Sequence, residues 1–241
     1  MYDFSLKTVL VTGSSRGIGA AIAKSFLMLG ANVVITSANR RPEWLDSYPN
    51  AKYLKLNFLE EDSLDLFSKE IDKISFVDIL INNAGVYSSE SITDFSSTIL
   101  DKLFKINVEG PAELIKKVSQ GMIRKGNGRI VNICSIAPFV IKKNSASYVA
   151  SKSALHGLTK SAAIDLAPFN ILVNSISPGP TETDMLGSLS PLEASRIKES
   201  IPLQRFAMPD EVANLTVFLS SDKNTYITGQ DFIIDGGRTL V

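Results

Sequence analysis

Residues 8–19, Thr8-Val9-Leu10-Val11-Thr12-Gly13-Ser14-Ser15-Arg16-Gly17-Ile18-Gly19, carry the chain from a short apolar strand through a glycine turn into a helix. Glycines at 13, 17 and 19 permit positive φ and let backbone N–H groups close on an anion, which the N-terminus of the following helix also favours. That arrangement suits a pyrophosphate. The spacing is GxxxGxG, not the commoner GxGxxG.

Outward from this turn, β-branched apolar runs recur at Thr8–Thr12, Val33–Thr36, Tyr53–Leu56, Val77–Ile81, Arg129–Ile133, Leu172–Ile176 and Phe232–Ile234. They read as buried strands. Segments with three- and four-residue apolar spacing lie between most of them, at Ile18–Leu29, Ser63–Ile74, Thr98–Arg124, Ser147–Leu166 and Asp210–Ser220. Strand and helix alternating in this way predict an α/β fold, a doubly wound, Rossmann-like parallel sheet of about seven strands with helices on both faces. With no repeat or linker, residues 1–241 read as one dinucleotide-binding and catalytic domain. The second crossover, Arg41 to Asn50, has room for about two helical turns. The long strandless stretch 178–208 is expected to be a substrate lid, lined by Met185, Leu186, Leu189, Leu192 and Ile201.

Composition narrows the function. Of 241 residues 44% are hydrophobic, enough for one large core, and 25 basic side chains balance 25 acidic ones. A balanced charge offers no global attraction to nucleic acid or an anionic membrane, so neither is an expected partner. No apolar run is long enough for a signal peptide or a membrane span. A lone cysteine, Cys134, cannot pair within the chain and fits a reducing compartment, so the expected location is cytoplasmic. With His156 as the only histidine, no metal site is expected.

A carboxylate after the second strand would select NAD by bonding its ribose hydroxyls and would repel a 2′-phosphate. Here that strand ends Ser37-Ala38-Asn39-Arg40-Arg41, without an acid before Glu43. Arg40 or Arg41, together with Arg16, suits a phosphate clamp, so NADP(H) is preferred and NAD(H) remains the alternative.

Tyr148 and Lys152 are four residues apart in a helical segment, on one face. An ammonium beside a phenol in a partly dry cleft favours the phenolate, which suits a proton donor and acceptor. Ser135 follows the fifth strand, where the carboxyl ends of a parallel sheet place ligands. Its hydroxyl can hold a substrate oxygen. His156, two turns beyond Tyr148, reads as a packed or surface histidine, and Cys134 as core. Trp44 and Tyr48 read as packing beneath the adenine side, with stacking on a cofactor as the alternative. Lys142 and Lys143, between Ser135 and Tyr148, are either a solvated loop or an attraction for an anionic substrate.

The glycine turn, Asn82-Asn83-Ala84-Gly85, Asn107, Ser135, Tyr148, Lys152 and Pro178-Gly179 with Thr183 follow one another in the order of the short-chain dehydrogenase/reductase family, which the chain resembles end to end. The resemblance implies that Tyr148 is the acid or base and that Ser135 polarises the carbonyl. It implies that Lys152 tunes the tyrosine and grips the nicotinamide ribose, while Asn107 holds a water leading from that lysine to solvent. It places Gly13, Ser15, Arg16, Gly17, Ile18 and Gly19 on the pyrophosphate side, with Ser37, Asn39 and Arg40 at the adenosine end. Asn57 and Phe58 fall against the adenine; Asn83, Ala84 and Gly85 line the ribose. Ile106 borders the nicotinamide, and Pro178, Gly179, Thr181 and Thr183 hold its carboxamide.

Within the family the chain is most similar to 3-oxoacyl-(acyl-carrier-protein) reductases and other ketoreductases. The expected substrate is a small carbonyl or alcohol compound, free or carrier-bound, and the expected assembly is a homotetramer. Pro168-Phe169 stands where carrier-protein reductases often have a basic residue, leaving Arg129 as one candidate docking contact. An NAD-dependent alcohol or sugar dehydrogenase and a non-catalytic cofactor-binding regulator are the alternatives.

Overall fold

The computed structural model describes residues 2–74, 76–184, 186–187 and 189–241. Seven parallel strands, β1 (Thr8–Val11), β2 (Asn32–Ser37), β3 (Ala51–Lys55), β4 (Ile79–Asn82), β5 (Gly128–Ile133), β6 (Ile171–Pro178) and β7 (Asp231–Ile234), form one sheet in the order β3-β2-β1-β4-β5-β6-β7. The chain therefore reverses its direction of growth between β1 and β4. In open parallel sheets ligands bind at such a switch point, outside the carboxyl ends of the strands.

Alternation along β1 sends its residues to both sides of the sheet. Val9 and Val11 join Ile22 and Phe26 of α1 (Gly17–Met28) and Val212 and Val217 of α7 (Pro209–Ser220). Leu10 faces the other way, with Phe67 of α2 (Ser63–Asp72), Leu114, Val118 and Met122 of α4 (Gly110–Lys125), and Ala162 of α5 (Ala146–Leu166). Every residue of β4, β5 and β6 is buried. Burial on both faces explains the unbroken apolar run of β4, and the polar residues inside β5 and β6, such as Asn132, Asn174 and Ser175, are hydrogen-bonded. Burying side chains such as Phe26 or Leu114 stabilises the fold by about 1.5–3 kcal/mol each.

The segment Thr98–Arg124, expected as a single helix, is not continuous. It comprises α3 (Ser97–Phe104), a π turn at Lys105–Glu109, and α4. One extra residue in the turn rotates α4 relative to α3, and such bulges recur at functional sites. In the second crossover the helical material is a 3₁₀ segment at Glu43–Ser47. The expected loop 178–208 also carries a helix, α6 (Pro191–Glu199), started by a reciprocal cap between Ser190 and Glu193. A bridge from Thr181 to Ala207 closes its base. Ile201 is buried, Leu186 and Leu189 are half-buried, and Leu192 is 61% exposed. Met185 lies outside the described residues.

Candidate active site

The glycine turn sits at the switch point and is held from beneath by short polar side chains. Ser14 Oγ donates to Val11 O at 2.7 Å and accepts from Thr36 N–H at 3.0 Å, tying β1 to β2. Thr12 Oγ1 accepts from the N–H groups of Asn83 (3.0 Å) and Ala84 (2.9 Å). Asn83 Nδ2 donates back to Thr12 O at 2.9 Å and Gly13 O at 3.1 Å. Gly13 and Gly17 have φ of 60° and 57°. A Cβ on Gly13 would lie 2.8 Å from Ala84 Cα, and one on Gly19 would lie 2.4 Å from Asn83 Nδ2. Close approach therefore requires glycine at both positions, and at Gly13 the positive φ requires it as well. The turn forms a backbone-lined cradle at the start of α1, which fits a dinucleotide pyrophosphate.

Several of the residues expected at a cofactor lie together at these strand ends. Thr183 lies 3.2 Å from the Cβ position of Gly17, so the start of the segment 178–208 touches the glycine turn. Thr181 Oγ1 donates to Gly179 O at 3.0 Å, and Thr183 Oγ1 to Thr181 O at 3.3 Å. Gly179 N–H donates to Ile234 O at 2.7 Å, fixing Pro178-Gly179 to the end of β7. Arg16 reaches across to Asp184 at 3.1 Å, with both side chains mostly exposed. Ile18 is half-buried at the start of α1.

Beyond β2, Ser37 is buried and its Oγ donates to Arg40 O at 2.6 Å, folding the chain so that Asn39 and Arg40 are exposed. Arg41 is committed to Asp46, which leaves Arg40 as the cation of this loop without an ion pair among the described residues. Trp44 packs on the core around α1 and donates its Nε1–H to Ser15 O at 3.1 Å. Its role in this structure is to brace the glycine turn. Asn57 accepts Leu59 N–H on Oδ1 at 3.1 Å and donates to Glu60 at 3.0 Å, shaping the turn before α2. Phe58 lies against Gly110, where a Cβ would meet its ring at 2.7 Å.

On the substrate side, Lys152 is 4% exposed, and its Nζ donates to Ile133 O at 2.9 Å. The α5 helix thereby fixes an ammonium at the carboxyl end of β5, two residues before Ser135. An ammonium has three N–H donors, and two remain uncommitted among the described residues. Ser135 is half-buried and its Oγ accepts Ala137 N–H at 3.1 Å, which leaves its own hydrogen free to donate. The π turn presents Asn107, fully buried, to the same place. Its Oδ1 accepts Val86 N–H at 2.9 Å, and its Nδ2 donates to Val86 O and Ser151 Oγ, both at 3.0 Å. Asn107 Oδ1 and Lys152 Nζ each lie 3.4 Å from where a Cβ on Gly85 would stand. Ile106 is buried beside Asn107 in the same turn.

Three contributors escaped the sequence reading. Tyr87 packs edge-on against Tyr148 with ring centroids 5.1 Å apart. Ser151 bonds both Asn107 Nδ2 and Tyr148 O. Glu90, buried, bonds Ser147 Oγ and accepts Ser96 N–H at 3.3 Å, tying the starts of α3 and α5 together. Only Ser151, one helical turn from Tyr148 and adjacent to Lys152, had a readable signal.

Cys134 is buried, and its thiol is pushed up to about 12 by that burial, only partly offset by the charge of Lys152. It is core, not a nucleophile. Arg129 corrects an expectation: it is 6% exposed and donates to Asn127 Oδ1, Gly128 O, Asn170 O and Asn224 O. It ties strand ends together and offers no surface to a carrier protein.

The family described as enoyl-(acyl carrier protein) reductase matches residues 13–239. The chain belongs to the short-chain dehydrogenase/reductase family. It is 38% identical over 239 residues to a 3-oxoacyl-(acyl-carrier-protein) reductase of Aquifex aeolicus, covering 96% of each chain. It is 37% identical over 246 residues to the Rickettsia typhi enzyme of the same name, covering all of both. A gluconate 5-dehydrogenase from Burkholderia cenocepacia, solved with NADP and tartrate, superposes with a TM-score of 0.91 at 28% identity, covering 99% of this chain and 97% of that one. As a short-chain dehydrogenase/reductase, the protein is an oxidoreductase that interconverts CH–OH and C=O with a nicotinamide cofactor. Among its described residues no helix is long and apolar enough to cross a membrane.

Proposed function

We propose that the protein reduces the 3-oxo group of an acyl thioester with NADPH. The observation that carries this reading is the buried Lys152 ammonium on Ile133 O, one turn from Tyr148 and at the strand end that leads to Ser135. The full-length likeness to 3-oxoacyl reductases supports the substrate class. The exposed Arg40, with no acid before Glu43, supports the 2′-phosphate.

When bound, the cofactor supplies a hydride to the carbonyl carbon. Gly13 to Gly19 hold its pyrophosphate, and Arg40 and Arg16 its 2′-phosphate. Asn57 and Phe58 border the adenine, and Ser37 and Asn39 lie near its ribose. Asn83, Ala84 and Gly85 would line the ribose, Ile106 would border the nicotinamide, and Pro178, Gly179, Thr181 and Thr183 would hold the carboxamide. Ser135 Oγ–H donates to the substrate oxygen as negative charge grows there, a contribution of about 3 kcal/mol where comparable donors have been removed. Tyr148 passes its phenolic proton to that oxygen. The Lys152 ammonium stabilises the charge left on the phenol, and its free N–H groups hold the nicotinamide ribose. Asn107 carries the water that returns a proton from solvent. The enzyme acts in the cytoplasm as a homotetramer; Ile123 and Ile164, exposed on α4 and α5, support pairing of those helices.

A second reading has its own support. With Arg129 internal and Phe169 exposed after α5, neither position offers a carrier protein a basic contact, which favours a small soluble substrate such as a keto sugar acid. The test is turnover at 340 nm with an acetoacetyl thioester, free or carrier-bound, and a keto sugar acid, each with NADPH and NADH. The proposal expects the thioester with NADPH to exceed the other pairings in kcat/KM by at least about tenfold, the worth of one charge-assisted hydrogen bond. Faster reduction of the keto sugar acid, or equal use of NADH, would overturn it.

A further inference from the structure

His156 continues the stripe begun by Tyr148 and Lys152, one turn further along α5. It is joined to two other elements. Ser175 Oγ–H donates to Asp231 Oδ1 at 2.7 Å, and Ser177 Oγ lies 2.9 Å from both oxygens of the same carboxylate. His156 Nε2 lies 3.0 Å from Ser177 Oγ and 3.6 Å from Asp231 Oδ1. A carboxylate only accepts and a hydroxyl has one hydrogen, so the Ser177 hydrogen points to Asp231. The lone pairs of Ser177 then take the Nε2–H of His156. One directed chain, His156 to Ser177 to Asp231, links α5, β6 and β7.

The middle link, Ser177, adjoins the segment proposed to hold the carboxamide. Ser177 immediately precedes Pro178-Gly179, and Gly179 is itself bonded to the end of β7. Phe139, from the loop that begins at Ser135, lies against the His156 ring with centroids 5.5 Å apart. The charged groups facing His156 are Asp231 on β7 and Lys152 and Lys160 on α5; Cys134 at the end of β5 is neutral. Burial pushes the imidazole below its usual value, the Asp231 charge opposes that, and the two lysines reinforce it.

We propose that His156 is a positioning residue for the nicotinamide end of the cofactor: its Nε2–H, aimed through Ser177 at Asp231, sets Pro178-Gly179 against the face of α5 that carries Tyr148 and Lys152. This rests on the carboxamide-binding role proposed above for 178–183.

The split between whole cofactor and adenosine fragment tests it without a substrate. Dissociation constants are measured by fluorescence for the cofactor the wild type binds more tightly, NADPH or NADH, and for the matching fragment, 2′,5′-ADP or ADP. His156→Leu should weaken the whole cofactor by about tenfold, the loss of one hydrogen bond in a partly buried site. The fragment should change by less than about twofold. His156→Gln, whose amide N–H can reach Ser177, should recover most of the loss. Equal weakening of cofactor and fragment, or no recovery with Gln, would reduce His156 to a general structural role and overturn the proposal. Should His156→Leu fail to fold, Ser177→Ala serves in its place with the same expected split. Thr183→Val separates the two claims. If it weakens the whole cofactor selectively while the His156 variants do not, the carboxamide site stands and His156 has no part in it. If neither does, the role of 178–183 falls and this inference with it.

Discussion

Between the glycine turn at 13–19 and the segment 178–208 opposite, the bonding differs in kind. The turn is built from backbone: glycines at positive φ, carbonyls capped by Asn83, a Thr12 hydroxyl that takes the N–H groups of Asn83 and Ala84, and indole support from Trp44. No side chain larger than hydrogen fits at Gly13 or Gly19. The opposite segment is tied down at its two ends, by the Thr181–Ala207 bridge and by Leu203 N–H on Gly236 O at 3.2 Å. Between them it presents side chains of mixed exposure, from buried Ile201 through half-buried Leu186 and Leu189 to exposed Leu192. A wall made of backbone fixes one ligand and tolerates little change. A wall made of side chains can change its lining without disturbing the sheet, so the cofactor is legible and the substrate much less so.

Gly13→Ala strikes the rigid wall and has the largest expected effect. Its methyl meets Ala84 Cα at 2.8 Å on a backbone already at φ 60°. Cofactor affinity should fall by more than about a hundredfold by fluorescence titration, the equivalent of roughly 3 kcal/mol of strain and lost contact. Leu192→Ala, on the adaptable wall, should leave cofactor affinity within about twofold and stability within about 0.5 kcal/mol. Comparable losses at the two positions would erase the distinction.

The Arg16–Asp184 pair is where the walls touch, and it sharpens the comparison at a smaller scale. Arg16→Ala should weaken NADPH by about tenfold and NADH hardly at all, since only the former offers a 2′-phosphate for the guanidinium. Asp184→Ala should tighten NADPH slightly by releasing Arg16, while thermal stability moves little in either variant because exposed pairs contribute under about 1 kcal/mol. Equal effects on both cofactors would show that Arg16 acts only by closing the crevice.

The smallest effect is in pH dependence. Burial lowers the imidazole of His156, so the folded protein binds less proton there than the unfolded chain as pH falls below 6.5. Stability contributed by the neutral ring is complete above 6.5 and is lost as pH falls toward the lowered value. Glu211, held down to about 2 by Arg205 and the Met208 N–H, keeps its contribution until pH drops below 4.5. Urea midpoints from about pH 7.5 to 5 should therefore decline less in His156→Gln than in wild type. Parallel declines would contradict this assignment.

Element order and the strands were readable because β4, β5 and β6 are buried on both faces and the glycine turn is explicit in residue type. The π turn was not, since Thr98–Arg124 keeps helical apolar spacing through Lys105–Glu109 and the extra residue is accommodated by packing. Asn107 was legible from the family's motif order, but its bonds to Val86 and Ser151 depend on that turn. Arg129 misled because the sequence shows a basic residue and not the four oxygens that surround it. Tyr87 and Glu90 meet α5 only through long-range folding, which local spacing does not encode.

The central claim is that Tyr148 donates the proton beside a cofactor held by other residues. Its most direct test is Tyr148→Phe, with turnover of an acetoacetyl thioester and the cofactor dissociation constant measured on the same preparation. The predicted result is a loss of turnover of about 10³-fold, within the range for general acid catalysis, with cofactor affinity unchanged within about twofold. Retained turnover would place the donor elsewhere, and a matching loss of cofactor affinity would mean that the phenol holds the cofactor instead of serving the reaction.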